Sequence, residues 1–307
     1  MRGKILKLLV IPLLLACTSH KPRELRAHTD MDRLKEKRDR YFWYMASLAD
    51  QFGWLPPTCD GLLFNSLAAF AGFPSNPLLA EESPGRWRRY PDYAVCKPGA
   101  DPESASTISR DMFRGLFIYL LSDDRKAEFV RLEAYGREHN WFMGEGASSR
   151  TWFNPQIRNQ LARIIDKGIP VEPEEAEGMT VGFEDHLDAL RIYTEYLIYG
   201  KLNEVQFQTL RWYAQNNPRN ALFQALYHKF SDGDQSRAIA ILLDEALFPA
   251  NRLPTDQDHF AHYLWQRDAN TADWKPCDPS PEAMERRCTG ETHSGVDFIF
   301  AVSVIER

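Results

Sequence analysis

Five short polar clusters in this chain each stand directly before a strongly apolar run. They are Cys59-Asp60-Gly61, Ser109-Arg110-Asp111, Glu184-Asp185-His186, Pro218-Arg219-Asn220 and His293-Ser294-Gly295-Val296-Asp297. Carboxylates dominate them. Two carboxyl groups facing one another across a cavity can divide acid–base work, one holding a proton to donate while the other accepts one or attacks. Asp60 and Asp111 are the leading pair for that role. His293 and Asp297 are four residues apart, a spacing that lets an Asp hold an imidazole in one tautomer if both lie on one helical face, so they form a second catalytic candidate. Arg110, with its planar fork, suits a ligand carboxylate. Asp185, His186 and Asn220 complete the candidate substrate-binding set, and Glu145, between two glycines, is a lesser acid candidate.

A plainer explanation covers several of these residues. Asp and Asn before a helix are preferred N-caps worth ~1 kcal/mol each, which accounts for Asp60, Asp185 and Asn220 without any ligand. Arg110–Asp111 is harder to dismiss, because a charged pair opening so apolar a run needs partners. Ser109 is the expected N-cap there. Trp87 and Trp141, with Tyr90, Tyr93, Trp152 and Trp274, fall in segments read as loops. Their flat rings suit the apolar faces of sugars, although large aromatics more often anchor loops to a core.

The elements that would position these groups are helices. Ser106–Gly146 reads as a hairpin: Met112, Phe113, Leu116, Phe117, Leu120 and Leu121 fall at helical spacing on a helix buried nearly all round. Its partner, Asp124–His139, carries Phe129, Leu132 and Tyr135 on one face and charges elsewhere. Further helices are expected over Arg33–Phe52, Leu62–Ala71, Gln156–Lys167, Glu184–Tyr199, Asn203–Asn216, Arg219–Phe230, Gln235–Leu247, His259–Arg267 and Ser294–Glu306, the last with strand as its alternative. Phe73 to Ser104, rich in Pro and Gly, is expected to be a long surface loop. The repeating order is loop, polar cluster, apolar helix, turn, charged helix. If the apolar helices run parallel inside and the charged ones return outside, the five clusters meet at one end.

On this rhythm, and on Asp60-Gly61-Leu62-Leu63, Ser109-Arg110-Asp111-Met112 with Gly115-Leu116, Asn220-Ala221-Leu222-Phe223 and Gly295-Val296-Asp297-Phe298, the chain resembles the six-hairpin (α/α)-toroid glycosidases and polysaccharide lyases. The resemblance implies an all-α fold, with helical hairpins arranged as a complete or incomplete toroid with long loops. It also implies action on a glycan by hydrolysis or elimination. It spans roughly Arg33–Arg307 and transfers no catalytic residue, and the chain offers five candidate inner helices where that group has six.

The N-terminus reads as an export signal. Arg2, Lys4 and Lys7 precede the apolar run Leu8 to Ala16, too short to span a bilayer. Leu14-Leu15-Ala16-Cys17 resembles the lipobox of bacterial lipoproteins. That likeness implies a signal peptide over 1–16, a lipidated tether over 17–30 with Cys17 carrying the lipid, and one helical domain over 31–307. It implies a cell-envelope protein held to a membrane by its anchor, with Thr18 pointing to the outer membrane and periplasm. Removing residues 1–16 deletes three basic residues and no acidic one, taking the net charge from −6 to −9 and arguing against a nucleic-acid partner. Cys59, Cys96, Cys277 and Cys288 remain. Three pairings are open to them, and Cys59–Cys96 with Cys277–Cys288 is favoured because each closes a loop-rich segment beside a helix start. No Cys-x-x-Cys, His-Glu-x-x-His, Walker or Gly-x-Ser-x-Gly sequence occurs, so no metal and no cofactor is expected. Two non-enzymatic alternatives stand beside the enzyme: an envelope lipoprotein serving as a binding or assembly scaffold, and a glycan-binding protein without chemistry. No sequence feature identifies a partner protein.

Overall fold

The computed structural model describes residues 29–55, 60–92, 107–144, 151–166, 185–245, 247–248, 250 and 295–307. The described residues are mostly helical, with ten α-helices and four strands of two or three residues. In chain order the helices are α1 (Asp30–Leu48), α2 (Gly61–Phe70), α3 (Arg110–Ser122), α4 (Lys126–Glu138), α5 (Pro155–Ile165), α6 (Asp185–Tyr199), α7 (Glu204–Asn216), α8 (Ala221–Phe230), α9 (Ser236–Leu243) and α10 (Val296–Glu306). The all-α class follows. Residues 294–306, ambiguous between helix and strand by composition, are helical from Val296. The helix expected over His259–Arg267 lies outside the described residues.

Two corrections concern boundaries. The helix expected to reach Leu247 stops at Leu243, where Asp244 turns to an extended conformation. Phe73–Ser104 is not all loop: Pro77–Ala80 forms a 3-10 turn, and β1 (Glu81–Ser83) pairs antiparallel with β2 (Arg86–Trp87). The Glu81 carboxylate fastens this hairpin to α4, accepting from Arg131 Nε at 2.9 Å and from the Gly85 amide at 2.8 Å. A second small hairpin, β3 (Phe142–Met143) with β4 (Thr151–Trp152), follows α4.

Burial divides the helices into two kinds. In α2 and α10 every residue but one or two is buried, whereas α4, α5 and α9 bury only a few positions each. The physical cause is the apolar pattern: α3 carries Leu116, Ile118 and Leu120 around its circumference, all fully buried, and each such side chain contributes roughly 1.5–3 kcal/mol of transfer free energy. The amphipathic helices keep one face in water. Their ends are set locally. Thr29 and Asp32 form a reciprocal capping box on α1, Asn203 and Gln206 form another on α7, and Asn154 caps α5 ahead of Pro155.

The buried helices pack in sequence: α2 on α3, α3 on α6, α6 on α8, α8 on α10, and α10 back on α2. The α2–α3 contact is the closest. A Cβ on Gly115 would sit 2.6 Å from the Leu63 carbonyl oxygen, so only glycine permits this approach.

All five run in one direction. At their C-terminal ends, Arg307 donates to the Phe70 carbonyl at 2.7 Å and lies 4.0 Å from the Phe70 ring centroid, while Lys229 reaches the Val304 carbonyl at 3.3 Å. Tyr196 packs against Phe230 there, with ring centroids 4.6 Å apart. At the other end, the Arg114 guanidinium in α3 donates to the Leu187 carbonyl in α6. Among the described residues no helix is long and apolar enough to cross a membrane.

Candidate active site at the shared N-terminal end

Because the five buried helices are parallel, their first turns gather Asp60, Arg110, Asp111, Asp185, His186, Asn220 and Asp297 at one end of the molecule. Asp60 is the residue before α2. It occupies the N-cap position but makes no capping bond with its side chain. Instead its Oδ1 accepts from Arg89 Nη1 at 3.0 Å. Arg89 is held in turn by its backbone, donating N–H to the Thr107 carbonyl and accepting at its own carbonyl from Leu62 N–H. The capping explanation for Asp60 therefore gives way to an ion pair between the α2 start and the strand-side segment.

Surrounding protein crowds the Asp60 carboxyl even though 38% of its side chain stays exposed. Desolvation raises its pKa, and the neighbouring Asp111 raises it further, while Arg89 pulls it back down by charge and hydrogen bond. The net direction is upward. Asp111, in the first turn of α3, is half-buried and close enough to act on Asp60 electrostatically. The two leading carboxyl candidates are therefore neighbours.

Asn220 does cap. Its side-chain oxygen accepts from Phe223 N–H at 3.1 Å, and the residue is buried, so its structural duty is clear and it has no open face for a ligand. Asp297 is buried in the first turn of α10, with Oδ1 accepting from Phe298 N–H at 2.9 Å. Asp185 and His186 are buried at the start of α6. Trp87 corrects the reading of a loop ring presented to a ligand: it lies in β2 and is almost wholly buried, as a core residue. Trp141 is half-buried at φ +64°, uncommon for a bulky residue, where its ring packs on Gly136 and lies 5.6 Å from the Arg158 guanidinium. Ser109, the expected cap of α3, has the extended backbone of an N-cap but no capping bond. Its buried hydroxyl has no hydrogen-bond partner among the described residues. His293, Glu145, Tyr93, Trp274, Cys17, Cys59, Cys96, Cys277 and Cys288 lie outside the described residues.

Several groups at this end escaped the sequence reading. Arg114 and Arg191 join the expected Arg110 in lining a cleft between α3, α5 and α6, together with Gln156, Gln160 and Thr194. Behind it, Asp188, Arg191 and Glu195 form a polar stripe down α6. Arg191 Nε donates to Asp188 at 2.7 Å, and its Nη1 donates to Glu195 at 3.1 Å. Tyr213 donates its hydroxyl to Asp188 at 2.9 Å. Glu195 also accepts from Gln156 at 2.7 Å, Gln160 at 3.2 Å and Gln206. A signal existed: charges three and four apart on a helix otherwise buried all round cannot face solvent and must face one another.

Phe142 and Trp152, paired across β3–β4, are 40% and 45% exposed. Their hairpin is tied to the entrance of α3, because Thr151 Oγ1 donates to the Ile108 carbonyl at 3.1 Å. The hairpin thus borders the entrance of α3, and on its exposed face the Trp152 ring lies 5.7 Å from the Arg158 guanidinium of α5. Among the described residues no group of three or more His, Cys, Asp or Glu is placed to hold a metal ion. No protein family, curated protein or solved structure matches the chain.

Proposed function

We propose that the chain is a lipid-anchored cell-envelope protein whose helical hairpins close into a five-membered (α/α) toroid with a glycan-cleaving site at its mouth. One observation carries the reading: Asp60 and Asp111 open two of the parallel buried helices at the same end, close enough that the charge of Asp111 joins burial in raising the Asp60 pKa. A carboxyl whose pKa is raised takes up a proton more readily and can donate it to the leaving glycosidic oxygen. A neighbouring carboxylate activates water or attacks the anomeric carbon. Arg89 positions the Asp60 carboxyl and limits how far its pKa climbs. The exposed rings of Phe142 and Trp152, on the hairpin tied to the entrance of α3, supply a stacking surface for sugar. The anchor is Cys17, at the end of an apolar run preceded by basic residues, and the residues that follow it tether the domain to the outer membrane.

The test uses the soluble form beginning at Thr18, incubated with a panel of polysaccharides and peptidoglycan fragments. New reducing ends report hydrolysis, and unsaturated products report elimination. Asp60→Asn and Asp111→Asn are expected to lower turnover by at least about 100-fold, the usual contribution of one acid–base group. Absence of product from the unaltered chain on every substrate would end the enzymatic reading. The second reading, glycan binding or scaffolding without cleavage, is favoured by the Arg89–Asp60 ion pair, because the guanidinium favours the ionised carboxylate, which has no proton to donate. It predicts retention on immobilised glycan with no product.

A further inference from the structure

We propose that the cleft between α3, α5 and α6 is a binding pocket for a carboxylate, so that the ligand presented to the Asp60–Asp111 mouth is an acidic sugar chain. Three guanidiniums line the cleft, from Arg110 and Arg114 on α3 and Arg191 on α6, and among the described residues no carboxylate lines it. Gln156 and Gln160 add amides, and Phe113 forms part of the apolar wall. The cleft spans about 440 Å³ with its open side included, but the hollow within it is only about 30 Å³ for a water-sized sphere. That is space for roughly two waters, or one planar carboxylate that displaces them, at ~10–15 Å³ per water.

Charge selects a monoanion. Arg191 is braced by Asp188 at 2.7 Å and Glu195 at 3.1 Å, so three cations and two anions leave one net positive charge. A phosphate near neutral pH brings close to two negative charges and a tetrahedral shape, which match neither the balance nor the small hollow. A carboxylate meets the planar Arg fork edge to edge. The floor is preorganised, because the carboxylates behind Arg191 fix its guanidinium before any ligand arrives. The rim is adjustable. Arg110 is exposed and makes no ion pair among the described residues, and it directly precedes Asp111 in the chain. Arg110 and Asp111 both belong to the first turn of α3, so a carboxylate held by Arg110 keeps the attached sugar at the same end of α3 as the catalytic candidates.

The anion chemistry stands without the cleavage reading, whereas the sugar to which the carboxylate is attached rests on it. Binding is measured by calorimetry on the chain from Thr18, with a galacturonate trisaccharide, its methyl ester and inorganic phosphate as probes. The ester keeps every ring and removes only the charge. The free acid is expected to bind at least about tenfold more tightly than the ester, with a preference that shrinks as salt rises. Arg110→Gln is expected to abolish that preference and Arg110→Lys to restore part of it, since lysine keeps the charge but not the fork. Arg110 is exposed, so neither variant threatens folding. Equal binding of acid and ester, or phosphate binding more tightly than the acid, would overturn the assignment. Cleavage of neutral glycans without acid preference would overturn this inference alone, and acid binding without any cleavage would overturn only the enzymatic reading.

Discussion

Glu195 is the most heavily bonded carboxylate among the described residues, and removing it tests whether the polar stripe on α6 holds neighbouring helices together. Its two oxygens accept from Gln156 and Gln160 on α5, Arg191 on α6 and Gln206 on α7. Glu195→Ala leaves four donors short of an acceptor. Arg191 keeps Asp188, and Gln156 can turn toward water in the cleft. Gln160 and Gln206 are buried and have neither recourse. Each orphaned buried donor costs about 1–3 kcal/mol, and breaking a buried charge pair about 3–5 kcal/mol. The two estimates overlap at roughly 3–5 kcal/mol. With a urea dependence of roughly 3 kcal/mol per molar, the denaturation midpoint should fall by about 1–1.7 M. Glu204→Ala is the control. Glu204 begins α7, and its carboxylate accepts from Gln208 at 2.7 Å in full exposure, so its loss should cost at most about 1 kcal/mol. A midpoint shift for Glu195→Ala no larger than that of Glu204→Ala would refute the claim that this network joins α5, α6 and α7.

Asp60 gives a pH signature. Its folded pKa lies above the ordinary value of 3.8, so the folded chain binds a proton the unfolded chain releases. The resulting penalty is absent below pH 3.8 and complete above the raised folded pKa. Asp60→Asn should therefore be at least as stable as the unaltered chain at pH 7, with the advantage fading below pH 4 in thermal melts across pH. A constant difference at all pH values would contradict this. Gly115→Ala sets a helix-propensity gain of about 1 kcal/mol against an overpacking cost of about 1–3 kcal/mol where the new methyl meets the Leu63 carbonyl at 2.6 Å. A net loss is expected by urea denaturation, together with a fall in the Asp60 pKa by carboxyl NMR as α3 and Asp111 are pushed away. Arg307→Ala removes both the bond to the Phe70 carbonyl and the ring contact, and is expected to lower the melting temperature by about 2–6 °C, equivalent to ~1–2 kcal/mol.

Reading the helices from the sequence succeeded because the information is local. Met112, Leu116 and Leu120 repeat at the helical period whatever they later touch. A helix apolar all round, such as Val296–Glu306, can only be an inner one. Asn154 and Asn203 mark their helix starts through bonds three residues away. The division into buried and amphipathic helices, and the placing of Asp60, Arg110, Asp111, Asp185, Asn220 and Asp297 at the starts of the buried ones, are consequences of this periodicity. Their gathering at one end needed only that those helices run parallel.

The tertiary structure decided which side chains are partners. Arg89 pairs with Asp60 across 29 residues and Arg131 with Glu81 across 50, and no spacing rule predicts either. Ser109 and Asp60 have residue types that cap helices, yet neither side chain caps: Asp60 pairs with Arg89 instead, and the Ser109 hydroxyl is buried without a hydrogen-bond partner among the described residues. Trp87 reads as a ring for ligands and is buried, since a β-hairpin folds it inward. Arg114 and Arg191, unremarked along the chain, converge with Arg110 only once α3 and α6 pack. Helical periodicity is written residue by residue over one or two turns. The pairing of charges across helices depends on packing between segments far apart in the chain, and it alone determines which polar groups share a cavity.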